Sequence, residues 1–185
     1  NKGFNVNTNN VKGVPVSKKD KIVWNFIEWN TAQNNAKLMY NNENIVSSLV
    51  TQKQWNYMMY WLEENGYDAE NSTKWGNHCD SNFEFTGYYS IDYGKTYQYG
   101  ENKMKQTYNM ILSTGATQRN MANNIYDLAG NVSEFIAAYT YKDGSYGYGA
   151  NGGNYDNLSH YSVSSSMGIA EANSRQGFRV VIYFK

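Results

Sequence analysis

The chain has 185 residues, which fits a single domain, and it carries 16 basic and 16 acidic residues for a formal net charge of zero. Because the chain has no excess of positive charge, its composition does not indicate binding to nucleic acid or to an anionic membrane, and we predict neither as a partner. A single cysteine excludes an intrachain disulfide, a thiolate zinc site and a two-cysteine redox centre built from this chain alone. No apolar run approaches the ~20 residues of a membrane span, which argues against direct membrane insertion.

The early part of the chain changes from an extended segment to a helical pattern. Residues Asn1–Val16 lack helical periodicity, so residues 1–13 are predicted to be an extended initial segment of one domain spanning 1–185. From Trp29 to Tyr40 apolar residues recur at three and four positions, which predicts a first helix. Asn30 and Thr31 are its predicted caps.

A second helix is predicted between Thr51 and Gly66. Trp55, Met59 and Leu62 repeat at helical spacing, with Met58 beside them. Thr51 and Gln54 have the spacing of a capping box, and the run from Glu63 to Gly66 is typical of a helix end.

The rest of the chain is predicted to form loops and strands. After Tyr67 glycine, asparagine, serine and tyrosine alternate without helical spacing, which indicates loops and short strands. Residues Gly177–Phe184 are β-branched and aromatic, which predicts a buried terminal strand. Helices followed by strands indicate an α+β domain.

Three stretches of the second half resemble the formylglycine-generating (sulfatase-modifying factor) family. They are Asn124–Phe135 (NIYDLAGNVSEF), Gly152–Tyr155 (GGNY) and Gly177–Val181 (GFRVV). Upstream, Leu49–Tyr57 (LVTQKQWNY) is similar to the segment that opens a helix in that family. The resemblance spans roughly Val14 to Tyr183 and implies a C-type lectin fold of the formylglycine-generating-enzyme type.

The departures from that family concern its chemistry. Its enzymes need a pair of reactive cysteines, and its iron-dependent relatives need several histidines, whereas this chain has one cysteine and two histidines. Asn151 replaces the arginine of the family's R-G-G motif, and Ser133 and Phe135 replace two tryptophans. The resemblance therefore implies a protein without that catalytic activity, and we predict that the chain is not an enzyme.

Within this fold the chain is most similar to the variable proteins of diversity-generating retroelements. In that class a C-terminal stretch is rewritten at template adenines, and Lys, Glu, Gln, Met and Trp cannot be reached. The segment Asp143–Arg175 contains no Lys, Gln or Trp, and only Met167 and Glu171 depart from the rule, so both are predicted to be fixed. The alternative is an ordinary turn-rich loop region, because turns favour the same residues.

The predicted ligand-binding residues lie in this late segment. Tyrosine offers a large rigid contact area with a hydroxyl, serine and asparagine offer adaptable hydrogen bonds, and arginine can anchor a contact. For Tyr155 the alternative is packing in the core beside the Gly152–Gly153 turn. The set comprises Tyr146, Tyr148, Tyr155, Asp156, Asn157, Ser159, His160, Tyr161, Ser164, Ser165, Asn173 and Arg175.

Two further groups of residues have polar or reactive side chains. The resemblance implies that Asn131 and Glu134 could supply oxygen ligands to a structural calcium ion, the only cofactor considered. The alternative, which we favour, is a hydrogen-bonded turn in which Glu134 pairs with Arg179 or a backbone amide. His78, Cys79 and Asp80 are adjacent, but no orienting residue is identifiable, so they are predicted to form a surface turn.

Two hypotheses of function follow. The first is a non-catalytic protein on a phage virion or bacterial cell surface, which presents a diversified C-terminal surface to a protein or saccharide on its target. The second is a degenerate formylglycine-generating-enzyme-like domain that binds a saccharide or peptide in a fixed pocket. The sequence leaves open both the ligand and the choice between monomer and trimer.

Overall fold

The helices lie early in the chain and most strands follow them. The computed structural model describes residues 13–91, 98–107, 109–140, 143–144, 146–158 and 171–185. In chain order the helices and strands are α1 (Trp29–Ala36), β1 (Ile45–Leu49), α2 (Gln52–Glu64), β2 (Glu84–Ser90), β3 (Gln98–Lys105), β4 (Ile111–Leu112), a short 3-10 helix (Gln118–Asn120), β5 (Met121–Ala122), β6 (Ile125–Tyr126), β7 (Ser133–Phe135), β8 (Tyr139–Thr140), β9 (Tyr146–Gly147), β10 (Ala150–Asn151), β11 (Gln176–Phe178) and β12 (Val180–Phe184).

The strands of the described residues form small separate sheets, so the chain is a mixed α+β protein as the sequence predicts. Their orders are β1-β12, β10-β7-β11, β3-β2-β4, β5-β6 and β8-β9. The pairing of β7 with β11 is parallel, and the other described pairs are antiparallel. Most strands are too short to enclose a core alone, and the packing therefore depends on contacts between sheets and helices.

The first helix is shorter than predicted, and its N-cap lies two residues before Asn30, the first of its predicted caps. Glu28 is the N-cap and makes no capping hydrogen bond with its side chain, whereas Asn30 and Thr31 lie inside the first turn. The predicted role of Asn30 and Thr31 as caps is therefore wrong. The helix ends at Ala36 because the chain then turns toward β1, where the Tyr40 N–H donates to Ser47 Oγ at 2.9 Å.

The second helix confirms the prediction in both its ends and its buried face. Thr51 is the N-cap, its side chain accepts from the Gln54 N–H, and the Gln54 side chain accepts from the Thr51 N–H at 2.9 Å. The helix ends at Glu64, and Gly66 follows with a φ of 83°, a conformation that glycine adopts without strain. Neither helix in the described part of the chain is long and apolar enough to cross a membrane.

The predicted terminal strand is divided at Arg179 into β11 and β12, which belong to different sheets, and its predicted burial is wrong over most of its length. β12 pairs with β1 from Val180 opposite Leu49 to Phe184 opposite Ile45. Val180 and Val181 pack against the buried clusters, but Ile182 is 51% exposed and Phe184 is 80% exposed. Burial is confined to β11, where Gln176 and Gly177 lie inside the molecule.

Both helices pack against the elements that surround β7. Trp55 and Leu62 of α2 join Leu128 and Ile136 in one buried cluster. A second buried cluster combines Trp29 and Leu49 with Phe135 and Ala150. Since burial of such side chains is the main favourable term in folding, these two clusters fix β7 relative to both helices.

The capping box of α2 can be tested with Thr51→Ala. Loss of the hydroxyl leaves the Gln54 N–H without its acceptor, so we expect the free energy of unfolding to fall by about 1 kcal/mol. Urea denaturation followed by circular dichroism measures this change.

Asn30→Ala is the matched control, because Asn30 is exposed within the first turn of α1 and caps nothing. Alanine has the higher helix propensity, so this variant should be as stable as the native chain or slightly more stable. Equal losses from the two substitutions would contradict the assignment of the caps.

Candidate ligand-binding surface

Two of the three stretches that carry the family resemblance pair in one sheet, and the third begins directly after a strand of that sheet. β11, from the terminal stretch, pairs with β7 in parallel, and β10, which directly precedes the glycine-rich stretch, pairs with β7 antiparallel. Gly130 has a φ of 72°, and a Cβ atom there would lie 2.1 Å from the Asn77 carbonyl oxygen. Gly177 is similarly confined, because a Cβ atom would lie 2.8 Å from the carbonyl oxygen of Trp24. These glycines therefore allow backbone approaches that a larger residue would block.

Buried carboxamides join this sheet to the strands of the middle region, and we call Asn77, Gln106 and Asn131 the Asn131 network. Asn131 accepts at Oδ1 from the Leu112 N–H at 2.9 Å and from Asn77 Nδ2 at 3.1 Å. Its Nδ2 donates to the Leu112 carbonyl at 3.0 Å. Gln106 Nε2 donates to Asn77 Oδ1 at 3.2 Å. Each bond joins groups that are shielded from water, so loss of one partner leaves a buried polar group unsatisfied.

The turn after β10 is fixed to the same network. The Tyr155 N–H donates to the Asn131 carbonyl at 3.0 Å, and the Cys79 N–H donates to the Asn157 carbonyl at 3.0 Å. Within the turn Asn154 Oδ1 accepts from the Asp156 N–H at 3.0 Å, and Asn157 Oδ1 accepts from the Asn154 N–H at 3.1 Å. The polar side chains of this turn therefore hold its backbone in one conformation.

Tyr155 is a core residue and is not available as a surface contact. Its side chain is 3% exposed and packs with Ile111 and Val132. The hydroxyl group hydrogen-bonds Ser174 Oγ at 3.0 Å, which ties the turn to the segment before β11. The ligand-binding role predicted for Tyr155 is therefore replaced by its alternative, packing beside the Gly152–Gly153 turn.

Four of the predicted binding residues come together beside Tyr155. Arg175 Nη2 lies 2.5 Å from Asp156 Oδ2, and the arginine is about half exposed. Asn173 Oδ1 accepts from the Arg175 N–H at 2.9 Å, and Asn173 Nδ2 donates to the side chain of Gln176 at 2.6 Å. Asn157, in the turn described above, is half-buried. An ion pair at the surface contributes little to stability, so both charged groups remain available to a partner.

Tyr148 is exposed on a rigid support. Its side chain is 39% exposed, and its ring centroid lies 4.6 Å from that of Trp29. Trp29 is buried and donates from Nε1 to the Ile136 carbonyl at 2.6 Å. The indole therefore holds the tyrosine ring in place with little loss of entropy when a partner binds.

The structure describes only one of the remaining predicted binding residues, and only its backbone. Tyr146 contributes its backbone to β9 opposite Thr140. Ser159, His160, Tyr161, Ser164 and Ser165 lie outside the described residues. We define the late-loop surface as the described exposed or half-buried members of the predicted set: Tyr148, Asp156, Asn157, Asn173 and Arg175.

Asn131 and Glu134 do not fit a calcium site in this arrangement. Glu134 receives hydrogen bonds from Arg179 at both carboxylate oxygens, one of them from Nε at 2.8 Å. Asn131 Oδ1 already accepts two N–H groups. Burial raises the pKa of Glu134, and the charge of Arg179 opposes that shift. Within the described residues no group of three or more His, Cys, Asp or Glu is placed to hold a metal ion.

The prediction of a surface turn is wrong for two of the three residues from His78 to Asp80. His78 and Cys79 are buried, and only Asp80 is exposed. His78 Nε2 lies 2.6 Å from Ser72 Oγ, and both side chains are fully buried, so no substrate reaches the hydroxyl. Burial lowers the pKa of His78 to about 4, which keeps the imidazole neutral near pH 7. This pair is a structural hydrogen bond.

A cavity of about 300 Å³ lies between the early segment and the last two strands. Trp24, Phe178 and Val180 supply apolar walls, and Asp127, Glu134 and Arg179 supply charged groups. The residues of the late-loop surface do not line it. The described residues therefore offer a second concave site that is separate from the late-loop surface.

Comparison with known proteins adds little to these observations. No family model and no curated protein matches the chain. The chain is similar in structure to one named "Crystal Structure of CarF", with 21% identity and a TM-score of 0.47. The match covers 76% of this chain and 48% of that one, so the chain spans about half the length of that protein. The likeness is too low to assign a fold family or a function.

Sequence reasoning missed Asp127, a buried carboxylate beside the Glu134–Arg179 pair. Its Oδ2 accepts from the Gly115 N–H at 2.9 Å, and its own N–H donates to the Asn120 carbonyl at 2.8 Å. Burial raises the pKa of Asp127 to about 6, although the Gly115 N–H and the charge of Arg179 oppose the shift. The residue lies within the Asn124–Phe135 stretch, but the pattern there gave no sign that its side chain would be buried.

The raised pKa of Asp127 predicts how stability depends on pH. Because the folded state holds this proton more tightly than the unfolded state, the stabilisation is complete below the unfolded pKa and is lost as pH rises through about 6. We expect the free energy of unfolding of the native chain, minus that of Asp127→Asn, to fall by about 2 kcal/mol from about pH 4 to about pH 8. Urea denaturation across this range measures the difference.

Glu43→Gln is the control, because Glu43 is an exposed carboxylate. The change with pH measured for Glu43→Gln is the background given by an exposed carboxylate. A change for Asp127→Asn no larger than that background would show that the fold does not raise the pKa of Asp127.

Proposed function

We propose that this chain is a non-catalytic ligand-binding protein that contacts a protein or saccharide target through its late-loop surface. The proposal is supported by the contrast between the accessible side chains of the late-loop surface and the buried contacts beneath them. Tyr148 and Arg175 are accessible, while Tyr155 and the Asn131 network lie inside and hold the backbone. A fixed backbone with exposed tyrosine, asparagine and arginine side chains suits recognition by a preorganised surface.

We further propose that the fold is the C-type lectin fold of the formylglycine-generating-enzyme type. Support comes from the pairing of the first and last resembling stretches through β7 and β11, and from the contact of Arg179, in the last stretch, with Glu134 in the first. The second stretch joins the first through hydrogen bonds from the Gly130 N–H to the Gly152 carbonyl and from the Tyr155 N–H to the Asn131 carbonyl. A sequence that resembled the family by chance would not be expected to bring its three pieces together. The single cysteine argues against the two-cysteine chemistry of that family's enzymes.

The same resemblance supports a variable protein of a diversity-generating retroelement, on a phage virion or bacterial cell surface. In such a protein the exposed positions change while the framework stays constant. Three residues of the late-loop surface, Tyr148, Asp156 and Arg175, fit that division, whereas Asn157 and Asn173 also hydrogen-bond to buried parts of the framework. Asp156 pairs with Arg175, and the Tyr148 ring packs against the Trp29 ring. Substitution at these positions leaves the buried contacts intact.

The second candidate is a fixed pocket, and the cavity beside β11 and β12 favours it. Trp24 and Phe178 lie with ring centroids 5.5 Å apart at this cavity, and aromatic walls with a few polar groups are typical of small-ligand sites. Here a saccharide or peptide would contact apolar walls and the Glu134–Arg179 pair. This site would stay the same among variants of the late loops.

Sequencing the encoding locus tests the proposal. We expect a reverse transcriptase gene nearby and a near-copy of the coding region for Asp143–Arg175 that differs from it only at adenines. The differing codons should include exposed positions such as Tyr148 and Arg175, because changes there leave the framework in place.

The codons of Asn154 and Tyr155 are the internal control. Both residues are buried and hold the turn, so the two copies should agree there. Absence of the reverse transcriptase and the near-copy would favour the fixed pocket. Differences concentrated at the buried codons would show that the late-loop surface has been assigned to the wrong residues.

A further inference from the structure

The outer face of α2 carries large aromatic side chains that face solvent. Tyr57 is 64% exposed, Tyr60 is 62% exposed and Trp61 is 46% exposed. The opposite face of the helix is buried through Trp55 and Leu62, so α2 is already fixed to the core without its outer residues. Tyrosine and tryptophan are enriched where proteins contact one another, and three of them on one exposed helix face indicate an interface.

The side chains on this face are spaced symmetrically along the helix. Lys53, Tyr57, Tyr60 and Glu64 follow one another at intervals of four, three and four residues. Such intervals place side chains along a single seam of an α-helix, as in coiled helices. Reversal of the order exchanges Lys53 with Glu64 and Tyr57 with Tyr60.

We propose that this face binds the same face of a second copy of the chain, with the two α2 helices antiparallel about a two-fold axis. Lys53 of each copy then lies against Glu64 of the other, and Tyr57 lies against Tyr60. A two-fold interface needs a self-complementary surface, and a seam with a cation at one end and an anion at the other provides one. Lys53 Nζ lies 5.8 Å from the centroid of the Tyr57 ring, so the ammonium group is already positioned over the seam.

The short length of the helix sets the strength of the association. A helix of 13 residues is about 20 Å long, so the seam alone buries less than the roughly 800 Å² per partner of a standard interface. We therefore expect a reversible dimer that dissociates in the micromolar range. The dimer carries two late-loop surfaces, which raises the avidity for a target with repeated sites if the proposed binding function holds.

Sedimentation velocity of the full chain over a range of concentrations tests the proposal. The native chain should approach the mass of two copies as its concentration rises. Lys53→Glu and Glu64→Lys should each weaken the dimer by about tenfold or more, because each places like charges opposite one another at both ends of the seam. The double variant should associate within about threefold of the native chain, and an equimolar mixture of the two single variants should form a mixed dimer.

The swaps are chosen so that the variants still fold. Lys53→Glu adds an anion near the N-terminus of α2 and Glu64→Lys adds a cation near its C-terminus, and both changes suit the helix dipole. Lys18→Glu makes the same charge change at an exposed site outside α2 and should leave the association unchanged. Tyr60→Ala, which keeps the helix propensity, should abolish the dimer.

Two kinds of result overturn the proposal. One is the mass of a single chain, or of three chains, at every concentration. The other is a dimer that persists in Tyr60→Ala or does not distinguish the single swaps from Lys18→Glu. Because the readout is mass and not ligand binding, failure of the proposed function leaves this test unaffected.

Discussion

The side chain of Asn131 replaces a missing strand-to-strand connection in the centre of the molecule. Its carboxamide accepts from the Leu112 N–H and donates to the Leu112 carbonyl, as a neighbouring strand would. At the same time its backbone carbonyl receives the Tyr155 N–H, and its Oδ1 receives Asn77 Nδ2. One buried residue therefore joins the middle strands to the turn beneath the late-loop surface. Such an arrangement is needed because the sheets of the described residues are too small to supply these bonds themselves.

This constraint explains how exposed and buried side chains alternate within a few residues of each other. The turn that carries Asp156 is held from below by Tyr155 and by the N–H groups that Asn154 and Asn157 accept. The Asp156 side chain pairs with Arg175 at the surface and therefore contributes little to holding the turn. A surface that changes its side chains without losing its backbone conformation needs this separation, which is why the late-loop surface fits the proposed function.

The sequence predicted those parts of the fold in which local pattern and tertiary packing agree. In α2 the capping box, the apolar spacing and the terminal glycine all favour the same helix, and the structure has it. In α1 the local pattern gave a wrong prediction of the helix start. Asn30 and Thr31 are good capping residues, but the helix begins at Trp29, whose side chain packs in the core. The burial of β12 was overestimated because an apolar pattern does not show which residues of a strand lie against the core: Val180 and Val181 do, whereas Phe184 is exposed.

The candidate site was predictable in its position but not in its burial. The sequence placed the candidate binding residues in the late segment, and the structure joins both flanks of that segment to β7 through β10 and β11. Composition does not distinguish Tyr148 from Tyr155, because the exposure of each depends on what lies against it in space. The same is true of His78, whose burial depends on contacts far along the chain, such as the Gln106 side chain that donates to its carbonyl.

The most direct test of this account compares Asn131→Asp with Asn124→Asp in urea denaturation. Both asparagines adopt a positive φ, 62° for Asn131 and 68° for Asn124, but Asn131 is buried in its network and Asn124 is exposed. Asn131→Asp replaces the donor to the Leu112 carbonyl with an acceptor, so we expect it to lower the free energy of unfolding by about 2–4 kcal/mol, whereas Asn124→Asp stays within about 0.5 kcal/mol of the native chain. A loss below about 0.5 kcal/mol for Asn131→Asp would contradict the central role of this residue.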